Sequence, residues 1–338
     1  MQSFPRGQPQ GIRNGVIYIR TPKPESSPVT TPEQWDKLIQ RCVLARRDEL
    51  VGMFSTIVSG AAAPAQGKQA VDANRERLTA WHRAAQKVAL SEAARLGVKF
   101  RFPLAENFAQ FSYMILHKNG VLIPAKDALQ TAGKLNTAVR DTVRYGWSMF
   151  YPFTRREISP RFVTDPAVDG GDTDFLQTSL FEDGQTGHGD FWRIALDGRA
   201  SLFRNFQEDR FNPPRGISEG QKWVDPWLHI RDVTEAVRHA RAMAEEYPGG
   251  EGICFLFEWR GLKDRLVAAL NPERYWPNGL VSNTDQRIVY NYFPIAEVIG
   301  NLPGVVSRLY APIYRLFDPS FEVSSEWVGK LMKGFIAF

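Results

Sequence analysis

The stretch FWRIALDGRASLFRNF, residues 191–206, decides the fold class of this chain. Two strand-like runs, 191–196 and 200–206, flank Asp197-Gly198, and such a pair between two strands is a strong signal for a tight β-hairpin. Further along, the apolar run at 252–259 is typical of a strand inside a sheet. The helical pattern at 228–247 that precedes this run ends at Pro248-Gly-Gly250. Hairpins mixed with helices predict an α+β fold rather than a doubly wound parallel sheet.

The same patterns predict further elements on both sides of this centre. Strands are expected at 98–102, 108–117 and 285–293, and helices at 71–97, 124–144, 303–317 and 325–336. In the helix at 71–97, one apolar face at helical spacing is formed by Leu78, Trp81, Ala85, Val88 and Ala89. We therefore expect closing helices at the C-terminal end and a long amphipathic helix before the first predicted strand.

Composition is that of a globular protein with a large core. The chain has 338 residues, of which 12% are aromatic, and a net charge of +5 that is compatible with nucleic-acid binding. Only two cysteines occur, Cys42 and Cys254, and both lie in apolar segments, as reduced core cysteines do. Neither a signal peptide nor an apolar run of membrane-spanning length is visible. These features indicate a soluble, cytoplasmic protein without a membrane partner.

The first fifty residues carry a strand signal followed by a helix signal. Residues 15–20 alternate in polarity as a strand with one buried face does, directly after the turn pair Asn14-Gly15. Thr31 can cap a helix, Pro32 fits its first position, and Gln34 completes a capping box. A strand and a helix alone bury too little surface to be stable. This unit must therefore pack on other parts of the chain or belong to a larger sheet.

This strand-and-helix unit resembles the C-terminal end of a Schlafen AlbA-type domain, over residues 11–50. The matching positions are Asn14, Gly15, Tyr18, Ile19, Arg20, Thr31, Pro32 and Glu33. The resemblance implies an N-terminally truncated bacterial Schlafen-like protein, DNA-binding ancestry and a role in antiviral defence or stress. The family's acidic nuclease cluster lies upstream of this strand, and residues 1–14 do not match it. The resemblance therefore does not carry nuclease activity into this chain.

Domain boundaries follow from these signals. We predict a partial AlbA-type strand–helix unit at 1–59, and a linker or mobile loop at 60–70, where Gly, Ala and Gln dominate. An α+β recognition or sensor domain is predicted at 71–338, with an internal division near 150–190 left open.

No nucleotide-binding loop, zinc-protease helix or nucleophile elbow occurs, so no cofactor and no catalytic residue are assigned. The densest carboxylate cluster lies at 165–190, and its weak metal candidates are Asp172, Asp174, His188 and Asp190. Oxygen ligands of this kind can hold Mg²⁺ or Ca²⁺, but the Gly- and Thr-rich composition is typical of an exposed loop. His188 and Asp190 can form an acid–base pair, and a structural histidine is the favoured interpretation.

Rings interleave with arginines in several segments, which is the pattern of single-stranded nucleic-acid binding by stacking and charge. We assign such contacts to Arg20, Arg155, Arg156, Arg161, Trp192, Arg193 and Arg204. The same alternation on a strand also arises when rings enter the core and arginines face water.

Three functional hypotheses stay open at this point. The favoured one is a non-catalytic recognition or regulatory module that senses DNA, RNA or another ligand. A metal-dependent nuclease or phosphodiesterase that uses the 165–190 carboxylates is the second. The third is a protein-interaction module that forms a homo-oligomer through exposed aromatic residues.

Overall fold

The structure is a computed structural model. It describes residues 12–13, 16–20, 26–28, 65–117, 122–139, 148–164, 174–182, 187–247, 249–271, 273–274, 276–277 and 279–336, with side chains from residue 72 onward. Contacts divide the chain into two compact units, Met1–Val71 and Asp72–Phe338. Within the described residues, no helix combines the length and apolar composition needed to cross a bilayer.

The described part of the first unit consists of a small antiparallel sheet and the helical residues 65–71. Its strands are β1 (Ile12–Arg13), β2 (Val16–Arg20) and β3 (Ser26–Pro28), hydrogen-bonded in that order. The strand predicted at 15–20 is confirmed as β2. The helix predicted from Thr31 lies outside the described residues.

A seven-stranded sheet forms the centre of the second unit. Its strands are β4 (Phe108–His117), β5 (Arg161–Thr164), β6 (Asp174–Glu182), β7 (His188–Ala195), β8 (Arg199–Arg204), β10 (Gly250–Arg260) and β12 (Gln286–Pro294). The order is β12-β10-β4-β8-β7-β6-β5, and every neighbouring pair is antiparallel. The edges are therefore β5 and β12. Two short strands, β9 (Trp223–Val224) and β11 (Leu266–Val267), form a separate parallel pair.

Helices cover both faces of this sheet, which confirms the α+β class. They are α1 (Ala65–Leu96), α2 (Ala128–Thr137), α3 (Pro226–Glu245), α4 (Ile295–Gly300), α5 (Leu302–Tyr314) and α6 (Ser325–Met332). The larger core contains rings of β4 and β10 together with apolar residues of α3 and α5. On the opposite face, α1 packs against the other side chains of the same strands. Both faces of the central strands are consequently core.

The predicted apolar face of α1 is confirmed. Leu78, Trp81, Ala85 and Ala89 are fully buried. Among the described side chains of α1, His82 is the only buried polar one. Both nitrogens of its ring are hydrogen-bonded. Its Nδ1 lies 2.8 Å from Ser112 Oγ and its Nε2 lies 3.1 Å from Glu258 Oε2. These contacts fix α1 to β4 and β10.

Three sequence-based interpretations require correction. Helix α1 begins at Ala65, so the linker predicted at 60–70 is helical from that residue, because alanine and glutamine favour helix and one glycine is tolerated. Residues 98–102 are not a strand but part of the loop between α1 and β4. The segment 165–190, interpreted as an exposed loop, contains β6 and the start of β7. The many carboxylates of this segment made the alternating apolar residues of β6 hard to recognise as a strand in the sequence. Strands β5, β6 and β7 of this part of the chain belong to the same antiparallel sheet as the strands that follow them.

The hairpin of residues 191–206 is confirmed as β7 and β8. Gly198 at its turn has φ of +87°, which only glycine adopts without strain. A Cβ at this position would lie 3.1 Å from Ile115 Cβ. The turn is therefore packed tightly against β4.

Candidate nucleic-acid interface

The structure separates the seven residues assigned to nucleic-acid contact into three groups. Arg20 ends β2 of the first unit, and its assignment stays a prediction. Arg155, Arg156 and Arg161 are exposed on the second unit. Buried in the interior of that unit are Trp192, Arg193 and Arg204. These last three have no access to a phosphate backbone, and their assignment is corrected accordingly.

The buried arginine of β7 is part of an aromatic cluster beneath α1. The guanidinium carbon of Arg193 lies 5.2 Å from the ring centroid of Trp81 and 4.6 Å from that of Phe175. Its Nη2 donates to Gln177 Oε1 at 2.7 Å. Arg193 therefore joins α1 to β6 and β7 by cation–π contacts and a hydrogen bond.

The buried arginine of β8 is part of a charged network. Arg204 donates from Nε and Nη2 to the two carboxylate oxygens of Asp190, at 3.0 and 2.9 Å. Its Nη1 lies 3.5 Å from Asp232 of α3, and Arg231 donates to the same carboxylate at 2.7 Å. This network links the sheet to α3 through the core.

The predicted pairing of His188 with Asp190 is present, with Nε2 and Oδ2 3.0 Å apart. Burial alone would raise the pKa of the Asp190 carboxyl. The charge of Arg204 and the hydrogen bonds from Arg204 and His188 outweigh burial and hold that pKa well below its usual range. An anionic carboxylate bound by an arginine in the core has a structural role, which is the interpretation favoured from the sequence.

The metal candidates do not form a site in the described part of the chain. Asp174 is exposed and accepts a hydrogen bond from Thr164 Oγ1 at 2.6 Å, whereas His188 and Asp190 are buried in the network above. Asp172 lies outside the described residues. Among those residues, no three histidine, cysteine or carboxylate side chains are close enough to hold a metal ion.

The exposed arginines belong to a surface that we call the edge patch. It consists of Tyr151, Arg155, Arg156, Arg161 and Phe162. Edge strand β5 provides Arg161 and Phe162, and the segment before it provides the other three. The two aromatic residues, Tyr151 and Phe162, are 39% and 49% exposed, so part of each ring faces solvent.

Phe162 pairs with Leu176 on β6, and Arg161 pairs with Gln177. Because directly opposed residues of antiparallel strands share a face, Phe162 lies on the side of the sheet that carries Leu176 and the larger core. Arg161 lies on the side that carries α1. The edge patch therefore extends around the border of the sheet rather than over one face.

The segment before β5 is held at several points. Trp192 Nε1 donates to the carbonyl of Tyr151 at 3.0 Å, and Thr178 Oγ1 donates to the carbonyl of Ile158. A turn is closed by the amide of Ile158 donating to the carbonyl of Arg155 at 3.1 Å. Strands β6 and β7 thus fix both ends of the segment that carries Arg155 and Arg156. The backbone of this segment is therefore held in place by contacts within the domain.

The base of this segment is clamped by α3. The ring of Phe150 stacks on His239, with centroids 4.2 Å apart and an angle of 18° between the rings. His239 Nδ1 and the hydroxyl of Tyr113 are 2.7 Å apart, and the amide of Met149 donates to Glu235 at 2.9 Å. Phe150 has φ of +54°, a conformation that a residue with a bulky side chain adopts only when its surroundings impose it. The sequence carries no signal for this clamp, because Tyr113 and His239 are far apart along the chain.

The positive charge of the edge patch comes from its three arginines. Among the described residues, none of Arg155, Arg156 and Arg161 forms an ion pair, and the only acidic residue between them in sequence is Glu157. Unpaired guanidinium groups beside exposed rings are the two features that single-stranded nucleic acid recognises through its phosphates and its bases.

The chain was compared with protein-family models, with curated proteins and with solved structures, and none of the three comparisons found a match.

Proposed function

We propose that this chain is a non-catalytic recognition module that binds single-stranded nucleic acid through the edge patch. The observation that carries the proposal is a group of three arginines and two half-exposed rings at the border of the sheet, in which no arginine forms an ion pair with a described residue. Arginines neutralise successive phosphates, while Tyr151 and Phe162 offer ring faces on which bases stack. A duplex hides those faces of its bases, so it should bind more weakly.

The resemblance of residues 11–50 to an AlbA-type domain supports this proposal. A nucleic-acid sensor would suit the regulatory part of a cytoplasmic Schlafen-like defence protein. That role rests on the resemblance alone, and the edge patch is testable without it.

Replacing all three arginines should remove most of the salt-dependent binding. We expect Arg155→Ala/Arg156→Ala/Arg161→Ala to reduce the slope of log affinity against log salt concentration by about 2, because each phosphate contact on a single strand contributes roughly 0.7. The measurement is fluorescence anisotropy of labelled single-stranded DNA and RNA oligonucleotides with the full chain, over a range of salt concentrations.

The opposite edge of the sheet offers a matched control. Arg287 and Ile288 occupy edge strand β12 as Arg161 and Phe162 occupy β5, and both are exposed. Arg287→Ala/Ile288→Ala should leave binding unchanged. The proposal would be contradicted if the variants on β5 and on β12 lost the same binding affinity, or if the affinity of the wild type did not depend on salt concentration.

Stacking is tested separately from charge. Tyr151→Ala and Phe162→Ala should each weaken binding by about 1–3 kcal/mol, the usual contribution of one stacked base, without changing the salt slope. Leu129 is an exposed apolar residue on α2, and Leu129→Ala is the control. If both ring variants bind like the wild type, phosphate contacts alone hold the strand.

A further inference from the structure

A cleft of about 280 Å³ opens on the second unit, and it shares no residue with the edge patch. Its lining comes from α1, the end of β4, the β7–β8 turn, the start of β10, and Leu122 in the connection that follows β4. The lining residues are Asn74, Arg77, Met114, Ile115, Leu116, His117, Leu122, Asp197 and Glu251. This volume is slightly below the roughly 300–1,000 Å³ of typical ligand pockets, which favours a small molecule.

Opposite charges lie next to each other in this cleft, and one ion pair in it is loose. Arg199 is buried and holds Asp197 Oδ2 at 2.8 Å, whereas Arg77 Nη2 approaches the same oxygen only to 3.7 Å. The Arg77 side chain is 51% exposed. Its guanidinium can therefore accept a better anionic partner without loss of a buried contact.

The acidic side of the cleft is rigid. His117 Nε2 is hydrogen-bonded to the carbonyl of Asp197 at 3.3 Å, and the His117 ring stacks on Tyr247 with centroids 4.9 Å apart. Tyr247 Oη in turn donates to the carbonyl of Leu196 at 2.6 Å. With Gly198 packed against β4, the carboxylate of Asp197 is fixed before any ligand arrives.

The remaining wall is apolar. Met114 and Leu116 provide it from β4, and Leu122 faces solvent across 56% of its surface. An exposed leucine at a cleft that also contains charged groups is a surface that a ligand with an aliphatic part would cover favourably.

From these features we infer that the cleft binds a small zwitterion with an aliphatic side chain, of the class of free amino acids such as leucine. The ammonium group lies toward Asp197, the carboxylate pairs with Arg77, and the side chain lies on Met114, Leu116 and Leu122. One ion pair at 3.7 Å is exchanged for two charge-assisted contacts. A nucleotide fits poorly, because its phosphates would meet the carboxylate of Asp197.

The test uses three related probes with the full chain: L-leucine, 3-methylbutylamine, which lacks the carboxylate, and 4-methylpentanoate, which lacks the ammonium group. Affinity is measured by titration with NMR detection. Leucine should bind about tenfold more tightly than either partial analogue, since each analogue lacks one charged contact. Arg77→Met should lower the affinity for leucine to that for 3-methylbutylamine and leave the amine unchanged.

Matched controls lie on the same elements and elsewhere on the surface. Arg83 is an exposed arginine of α1 outside the cleft, so Arg83→Met should leave the affinity for leucine unchanged. Leu122→Glu should weaken leucine binding, whereas Leu129→Glu, at a similarly exposed leucine, should not. The inference is overturned if leucine shows no saturable binding at millimolar concentration, if an analogue binds as well as leucine, or if Arg77→Met has no effect. None of these results bears on nucleic-acid binding.

Discussion

Arg204→Met is expected to lower the free energy of unfolding by about 3–5 kcal/mol, because it leaves the buried carboxylate of Asp190 without its bidentate partner. In a domain of this size, such a loss lowers the melting temperature by roughly 10 °C. Chemical unfolding followed by circular dichroism, together with calorimetry, measures both quantities.

The double variant Asp190→Leu/Arg204→Met separates the energy of the ion pair from the cost of leaving one charge alone. It should be more stable than Arg204→Met, because no unpaired charge then remains at the site, and apolar residues often replace buried ion pairs without loss. Arg83→Met, on the exposed face of α1, should change stability by less than about 0.5 kcal/mol. If the double variant is less stable than the single one, the network stabilises the fold beyond this one pair.

Acid should destabilise the protein in part through His239. Burial lowers the pKa of this imidazole to about 3, against about 6.5 in an unfolded chain. Between these two values the unfolded state binds more protons than the folded state, so stability decreases as the pH falls from 6.5 toward 3. This one group should remove about 2 kcal/mol between pH 7.5 and pH 5.

His239→Gln tests this by removing the titrating group while keeping a hydrogen-bonding partner for the hydroxyl of Tyr113. Its free energy of unfolding should fall by about 2 kcal/mol less than that of the wild type between pH 7.5 and pH 5. His82 is buried as well, and burial also lowers its pKa. His82→Gln therefore shows whether the acid sensitivity belongs to buried histidines in general. Parallel curves for the wild type and His239→Gln would mean that this imidazole does not titrate during unfolding.

The clamp around His239 also connects stability to the proposed function. Phe150 stacks on this ring directly before Tyr151, and Trp192 binds the carbonyl of Tyr151. Loss of the clamp should loosen the segment that carries Arg155 and Arg156. We therefore expect His239→Gln to weaken nucleic-acid binding modestly at pH 7 even though the residue itself is buried.

The alternation of aromatic residues with arginines in the sequence occurs both in the exposed edge patch and in buried strands. On β7, Phe191 and Arg193 share one face of the strand and Trp192 occupies the other, and all three are buried. Had only one face of the sheet been covered, Arg193 would have been exposed, as the sequence-based interpretation required. Because α1 packs on the second face, the same pattern that exposes Arg161 on an edge strand buries Arg193 on an inner strand.

The features that could be predicted from the sequence are local ones. The Asp-Gly turn between β7 and β8 and the apolar face of α1 both follow from neighbouring residues. These signals were sufficient for the α+β class and for most strands and helices. Tertiary structure alone decided that β5 is an edge strand, that Arg204 pairs with Asp190, and that Arg77 meets Asp197 across a cleft. Those contacts join residues that no local preference brings together, because they depend on strand order and on which helix covers which face.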